Sequence, residues 1–131
     1  MRLTTCLAPD KIRKRRTLKE KLKNEIGLLK DDIKDLDSED DFERRILEEK
    51  TDRLKRAELE FAIVEPELAL VAADESEKER IKRLEQDYEL AWYEYQLFQA
   101  LRARPVNEEE VNLLRSRIKN LQNLKEQLVQ V

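Results

Sequence analysis

Apolar residues recur three and four positions apart along most of the chain. The most regular stretch runs from Ile81 to Phe98, where every step between the apolar positions is three or four residues. This spacing keeps one stripe of an α-helix facing a partner helix. The sequence therefore predicts amphipathic helices that bury their stripes against other helices.

The apolar spacing and the turn-forming residues divide the chain into a short tail and four helices. Residues 1–9 are expected to form a flexible N-terminal tail, and residues 10–131 a helical module. Pro66 should kink the second helix, because proline removes a backbone donor and clashes with the preceding turn. The helices are expected at about residues 10–36, 39–73, 77–103 and 107–130.

Capping residues stand before all four helices, and Ser38 with Asp41 approximates a capping box before the second. Asp10 is suited to cap the first helix, Ser76 the third and Asn107 the fourth. Ser76 and Asn107 are each followed three residues later by glutamate, which completes a capping box.

The stripes supply the candidate helix interface. In the first helix Arg15 and Lys19 occupy the stripe before Leu22, so the apolar seam fails near Leu18 and the first turns are expected to be solvated. The interface is predicted to consist of Leu22, Ile26, Leu29, Ile33, Leu54, Phe61, Val64, Ile81, Leu84, Tyr88, Tyr95, Phe98, Leu114, Ile118 and Leu121.

Composition favours a helical protein over a sheet or a disordered chain. Charged residues make up 44% of the 131 positions, and there is a single glycine. Sheets need frequent turns, which glycine usually supplies. Disorder is opposed by an apolar fraction of 40% that is phased rather than scattered. The predicted fold is all-α, with four amphipathic helices forming an antiparallel helical bundle or a coiled-coil oligomer.

Residue types that carry catalysis are scarce. The chain has no histidine, the commonest general base and metal ligand, and one glycine cannot build a phosphate-binding loop. We therefore expect no enzyme activity, cofactor, metal or small-molecule substrate. A single cysteine, Cys6, favours an intracellular protein, either cytoplasmic or nuclear. No apolar run is long enough to predict a membrane span.

A basic run near the start is the sharpest local feature. Between residues 11 and 23 only Glu20 opposes eight basic side chains, which gives a net charge of +7. Such a run can bind the phosphate backbone of nucleic acid, or it can be a solvated helix end that complements acidic helices elsewhere in an assembly. The candidate nucleic-acid-binding residues are Lys11, Arg13, Lys14, Arg15, Arg16, Lys19, Lys21 and Lys23.

Aromatic residues cluster in the third helix. Tyr88, Tyr95 and Phe98 lie on its stripe and Trp92 lies beside it, which favours core packing over a platform for stacking bases.

Four segments resemble the helical region near the N-terminus of Gag polyproteins of BEL/Pao-type retrotransposons. The resemblance covers about residues 13–103, departs from the family where a tryptophan-containing segment is usual, and assigns no counterpart to the fourth helix. It implies a self-assembling structural region of a Gag-like protein. The segments are Arg15-Arg16-Thr17-Leu18-Lys19, Phe42 to Leu47, Glu60-Phe61-Ala62-Ile63-Val64 and Glu85 to Tyr88.

The predicted role follows from the stripes and the missing chemistry. We expect a non-enzymatic structural protein that forms homo-oligomers, or binds a helical protein partner, through its apolar seams. The alternative is a small nucleic-acid-binding adaptor that uses the basic residues 11–23.

Overall fold

The computed structural model describes residues 8–129, the side chains of residues 128 and 129 excepted. All regular structure in this range is helical, which confirms the prediction of an all-α protein with four helices. The expected tail falls largely on residues 1–7, including Cys6, which lie outside the described range. The helices are α1 (Pro9–Lys34), α2 (Asp41–Ala72), α3 (Lys78–Arg102) and α4 (Glu108–Val129).

Side chains cap two of the four helices. Asp40 Oδ1 accepts a hydrogen bond from the Phe42 N–H at 3.0 Å, and Asn107 Oδ1 accepts one from the Glu110 N–H at 3.2 Å. Each bond satisfies an N–H that the helix itself leaves without a partner. The prediction that Asn107 caps the fourth helix is confirmed.

The predicted caps of α1, α2 and α3 are wrong. Asp40 caps α2 instead of Ser38, which lies before the first turn. α1 begins at Pro9, one residue earlier than expected, because proline suits the first position of a helix; Asp10 lies in the first turn. Ser76 stays outside α3, since its own N–H donates to Asp74 Oδ1 and the next N–H, that of Glu77, donates to the Asp74 carbonyl. This turn delays the helix until Lys78.

Pro66 lies inside α2 without ending the helix. α2 is one helix of 32 residues, and Pro66 is buried within it. Val64 and Leu70 on either side are among the most buried residues. Burial on both sides of the proline compensates for the hydrogen bond that it removes.

Neighbouring helices run antiparallel. Arg15 near the start of α1 pairs with Glu67 near the end of α2, and Asp32 near the end of α1 pairs with Lys50 of α2. In the same sense, Arg102 at the end of α3 pairs with Asp52 of α2. Lys125, late in α4, pairs with Asp87, early in α3. The chain therefore runs up and down through its four helices.

Each helix contacts only its neighbours in the sequence. Among residues 8–129, α1 packs on α2, α2 on α3 and α3 on α4, and α1 touches neither α3 nor α4. A closed four-helix bundle would bring its first and last helices together. This bundle is open.

The two middle helices use opposite sides for their two neighbours. In α3, Tyr95 bonds to Glu60 of α2, while Tyr93 packs with α4. In α2, Ala57 packs on α1, whereas Leu59 lines a groove with α3. Two residues along a helix turn its side chains by about 200°. The four helices consequently form one layer.

A single layer leaves much surface uncovered. The accessible surface is 9720 Å² for a chain of 15.7 kDa, whereas a compact monomer of this mass is expected to expose about 7300 Å². Within the described range no large side chain is fully buried.

Candidate interaction surfaces

The predicted interface residues pack within the chain. Seven of them are buried and the other eight are partly buried, so none is left exposed. Leu22 and Val64 join α1 to α2, and Leu114 joins α4 to α3. The buried members are Leu22, Leu29, Val64, Ile81, Phe98, Leu114 and Leu121, and the partly buried ones Ile26, Ile33, Leu54, Phe61, Leu84, Tyr88, Tyr95 and Ile118.

The first turns of α1 are packed, in contrast to the expected solvated end. Arg15 Nε lies 3.2 Å from Oε1 of Glu67, whose side chain is only 4% exposed. The ammonium of Lys19 lies 5.9 Å from the centre of the Phe61 ring. Long basic side chains can cover apolar surface with their stems while the charge finds a partner. The seam between α1 and α2 therefore continues past Leu18 with charged residues.

The basic run divides into two groups. Arg15 and Lys19 are partly buried and hold α1 on α2, while the other six side chains are exposed. Arg13 lies 3.8 Å from Asp10, in a pair that is itself exposed. Within residues 8–129 no ion pair engages the remaining five, which are Lys11, Lys14, Arg16, Lys21 and Lys23. These five are open to an anionic partner, with Lys14 and Lys21 on one flank of α1 and Arg16 and Lys23 on the other.

An acidic segment lies at the opposite end of the α1–α2 hairpin. Between residues 31 and 49 ten acidic side chains outnumber three basic ones, for a net charge of −7. Most of them are exposed, including Asp31, Asp35 and Asp37. Seven residues of α1 separate the acidic segment from the basic run, or roughly 10 Å at 1.5 Å per residue. The basic run itself lies beside the end of α2, which has four glutamates and no basic residue over residues 58–72.

Several large apolar side chains are exposed, and Phe42 at the start of α2 is the most exposed of them, at 72%. Leu28 is 67% exposed on α1, and Leu113 and Leu124 on α4 are 51% and 47% exposed. Trp92 lies between Tyr88 and Tyr95 in two edge-to-face contacts and keeps part of its ring exposed. Phe98 is buried with the Arg102 guanidinium 3.5 Å above its ring. The aromatic cluster is mainly packing, with Trp92 alone at the surface.

Sequence reasoning missed Glu67 and the exposed leucines. Glu67 resembles any other acid of a charged helix until the register of α2 against α1 is known. The exposure of Leu28 could have been predicted, because this leucine lies off the stripe marked by Ile26 and Leu29. Apolar residues off the stripe are candidates for contacts outside the fold.

The described residues show neither a metal site nor a membrane helix. No group of three or more ligating side chains within residues 8–129 could hold a metal ion. Over the same range no helix is both long and apolar enough to cross a membrane. In comparisons with known proteins, the chain matches no protein-family model, no curated protein and no solved structure.

Proposed function

We propose that this chain is a non-enzymatic structural protein that associates with further copies of itself through the surfaces its helical layer leaves open. The observation that carries the proposal is the open layer, in which α1 and α4 each have one neighbour. The accessible surface of 9720 Å² exceeds that of a compact monomer by about a third. A stable contact between two proteins needs about 800 Å² from each partner, so the excess is sufficient for one.

The seams themselves are not the associating surface in this proposal. They are covered by neighbouring helices of the same chain, so association uses exposed edges and side chains. The resemblance to the self-assembling region of BEL/Pao-type Gag proteins supports an assembly role, and it remains part of the proposal.

Mass as a function of protein concentration tests the proposal. We expect light scattering and sedimentation equilibrium to give a mass that rises above 15.7 kDa with concentration. The measurement is repeated after nuclease treatment, so that bridging by nucleic acid is removed. A mass that stays at one chain over the whole range would refute self-association.

A second candidate function is nucleic-acid binding through the exposed part of the basic run. The supporting observation is that Lys14, Arg16 and Lys21 are exposed within two turns of α1 and have no ion-pair partner in the described range. Phosphate contacts release counterions, so the affinity for a single strand should fall with a log–log salt slope of about −0.7 per contact.

Two matched variants test this second function by fluorescence anisotropy with single-stranded RNA. Lys14→Glu with Arg16→Glu should abolish binding. Lys30→Glu with Lys34→Glu makes the same change in net charge at the other end of α1. This variant should keep most of the RNA binding. Equal losses in the two variants would indicate a response to net charge and not a site.

A further inference from the structure

The side of α1 that faces away from α2 is uncovered along the whole helix. Leu22 and Leu29 mark the side that packs on α2, and both are buried. At about 100° per residue, positions nine residues before and after Leu22 lie half a turn away from it. These positions are Arg13 and Asp31, and both are exposed. We call this side the outer edge of α1.

The outer edge has charges of opposite sign at matching distances from Leu22. Arg13 belongs to the basic run and Asp31 to the acidic segment. Arg13 and Asp31 are equidistant from Leu22 along the helix. A two-fold axis at the level of Leu22 therefore places Arg13 of one copy beside Asp31 of the other, and the reverse at the other end.

The same antiparallel arrangement matches further residues. Asp10 of one copy comes level with Lys34 of the other, since each lies twelve residues from Leu22. Arg16 comes level with Leu28, the most exposed leucine of the described range. A parallel arrangement would instead place Arg13 on Arg13 and Asp31 on Asp31, which is repulsive.

The order of charges on α1 is unfavourable for an isolated helix. A helix has a partial positive charge at its N-terminus and a partial negative charge at its C-terminus. α1 has basic residues in its first half, and Asp31, Asp32 and Asp35 in or beside its last turn. Part of this order is accounted for within the chain, where Arg15 pairs with Glu67 and Asp32 with Lys50 of α2. Arg13 and Asp31 have no ion pair with α2 in the described range, and an antiparallel copy would supply partners for them.

We propose that two copies of this chain pair antiparallel along the outer edges of α1, with the basic run of each against the acidic segment of the other. The proposal rests on the proposed self-association and specifies its surface. A contact between two helix edges lies at the small end of specific interfaces, which are below about 1200 Å² in total. The pair is accordingly weak and salt-sensitive, since exposed charges are screened within about 8 Å at physiological ionic strength.

Two charge-reversal variants test the pairing by sedimentation velocity at low salt. The first is Arg13→Glu with Arg16→Glu, and the second is Asp31→Lys with Asp35→Lys. Each variant alone repels its own copies at both ends and should lose association. An equal mixture of the two should restore it, because both ends of the mixed pair become attractive. The chain that carries all four substitutions should also associate.

Controls separate this surface from general effects of charge and folding. Arg115→Glu with Lys119→Glu makes the same charge change on exposed residues of α4 and should leave association unchanged. Leu28→Glu should weaken it several-fold more than Leu113→Glu, a similarly exposed leucine outside the edge. The reversed charges suit the helix dipole, so both reversal variants should keep or raise the thermal midpoint while losing association.

The outcomes distinguish this inference from the proposed function. Association of the unaltered chain that neither reversal variant weakens would overturn the α1 pairing and leave self-association standing. A single-chain mass at every concentration would overturn both. Association that nuclease abolishes, and that the mixture fails to restore, would overturn the pairing in favour of bridging by nucleic acid.

Discussion

The ion pair between Arg15 and Glu67 should contribute far more to stability than any of the exposed ion pairs. Within residues 8–129 Glu67 is the one buried charged residue, at 3% exposure, and Arg15 is 44% exposed. Arg15→Ala leaves a buried carboxylate without its partner. The cost of breaking a fully buried pair is about 3–5 kcal/mol, whereas an exposed pair contributes at most about 1 kcal/mol.

Because Arg15 is half-exposed, the energy of this ion pair should lie between the values for a fully buried pair and an exposed pair. Water can reach the carboxylate from the side that Arg15 vacates, so we expect Arg15→Ala to lower the free energy of unfolding by about 2 kcal/mol. Arg15→Met keeps much of the apolar stem and removes the charge. A similar loss in both variants would assign the effect to charge and not to packing.

A double-mutant cycle measures the coupling directly. We expect Arg15→Ala and Glu67→Ala to show a coupling of about 1.5 kcal/mol in urea unfolding followed by far-UV circular dichroism, with unchanged m-values. The control pair, Arg44 with Asp41, is closer at 2.9 Å but far more exposed, and its coupling should stay below about 0.5 kcal/mol. Equal couplings would refute the reasoning that burial, and not distance, determines the strength.

Three further changes test other features of the fold. Gly27→Ala should raise the free energy of unfolding by about 1 kcal/mol, because Gly27 lies mid-helix with nothing within 4 Å of an added Cβ; urea unfolding would show it, and a loss would contradict the open surroundings. Asn107→Ala should lower that free energy by about 1 kcal/mol, while Asn107→Asp keeps an acceptor for the Glu110 N–H and should cost little. Leu84→Lys with Tyr95→Lys should reduce helicity and not only mass, because both side chains pack inside the chain; full helicity in a circular dichroism spectrum would contradict that placement.

The helices could be predicted from the sequence because the spacing of each apolar stripe depends only on the geometry of the helix that contains it. A heptad stripe requires a partner helix but does not identify it. The open layer depends on a second stripe in α3, formed by Tyr93, Leu97 and Ala100, which packs on α4. These residues are spaced four and three apart, so the signal is present beside the stronger stripe from Ile81 to Phe98.

The pairing of Arg15 with Glu67 could not be predicted, for a physical reason. It depends on the register between α1 and α2, which follows from the length of the turn and the fit of Leu22 between Ala57 and Val64. From the sequence alone, Arg15 on the stripe predicts a solvated helix end, because its partner Glu67 lies 52 positions later in the chain. The same pattern predicts a buried ion pair once the register is known.

The outer sides of α1 and α4 explain why the layer stays open. The α3-facing side of α4 is marked by Leu114 and Leu121, and two residues further on from each, about 200° away, are Ser116 and Asn123. Both are exposed and neutral. Neither terminal helix therefore has a second apolar stripe with which to close the bundle.

This difference between the two edges limits the size of the assembly. The outer edge of α1 is charged and self-complementary, so one two-fold contact uses it completely. The outer edge of α4 has a shorter match, with Glu109 and Lys119 five residues before and after Leu114, so a contact between copies there should be weaker. We therefore expect the mass to reach two chains before any further rise with concentration. A mass that continues to increase would mean that a second surface, with Leu113 and Leu124 the first to examine, also joins copies.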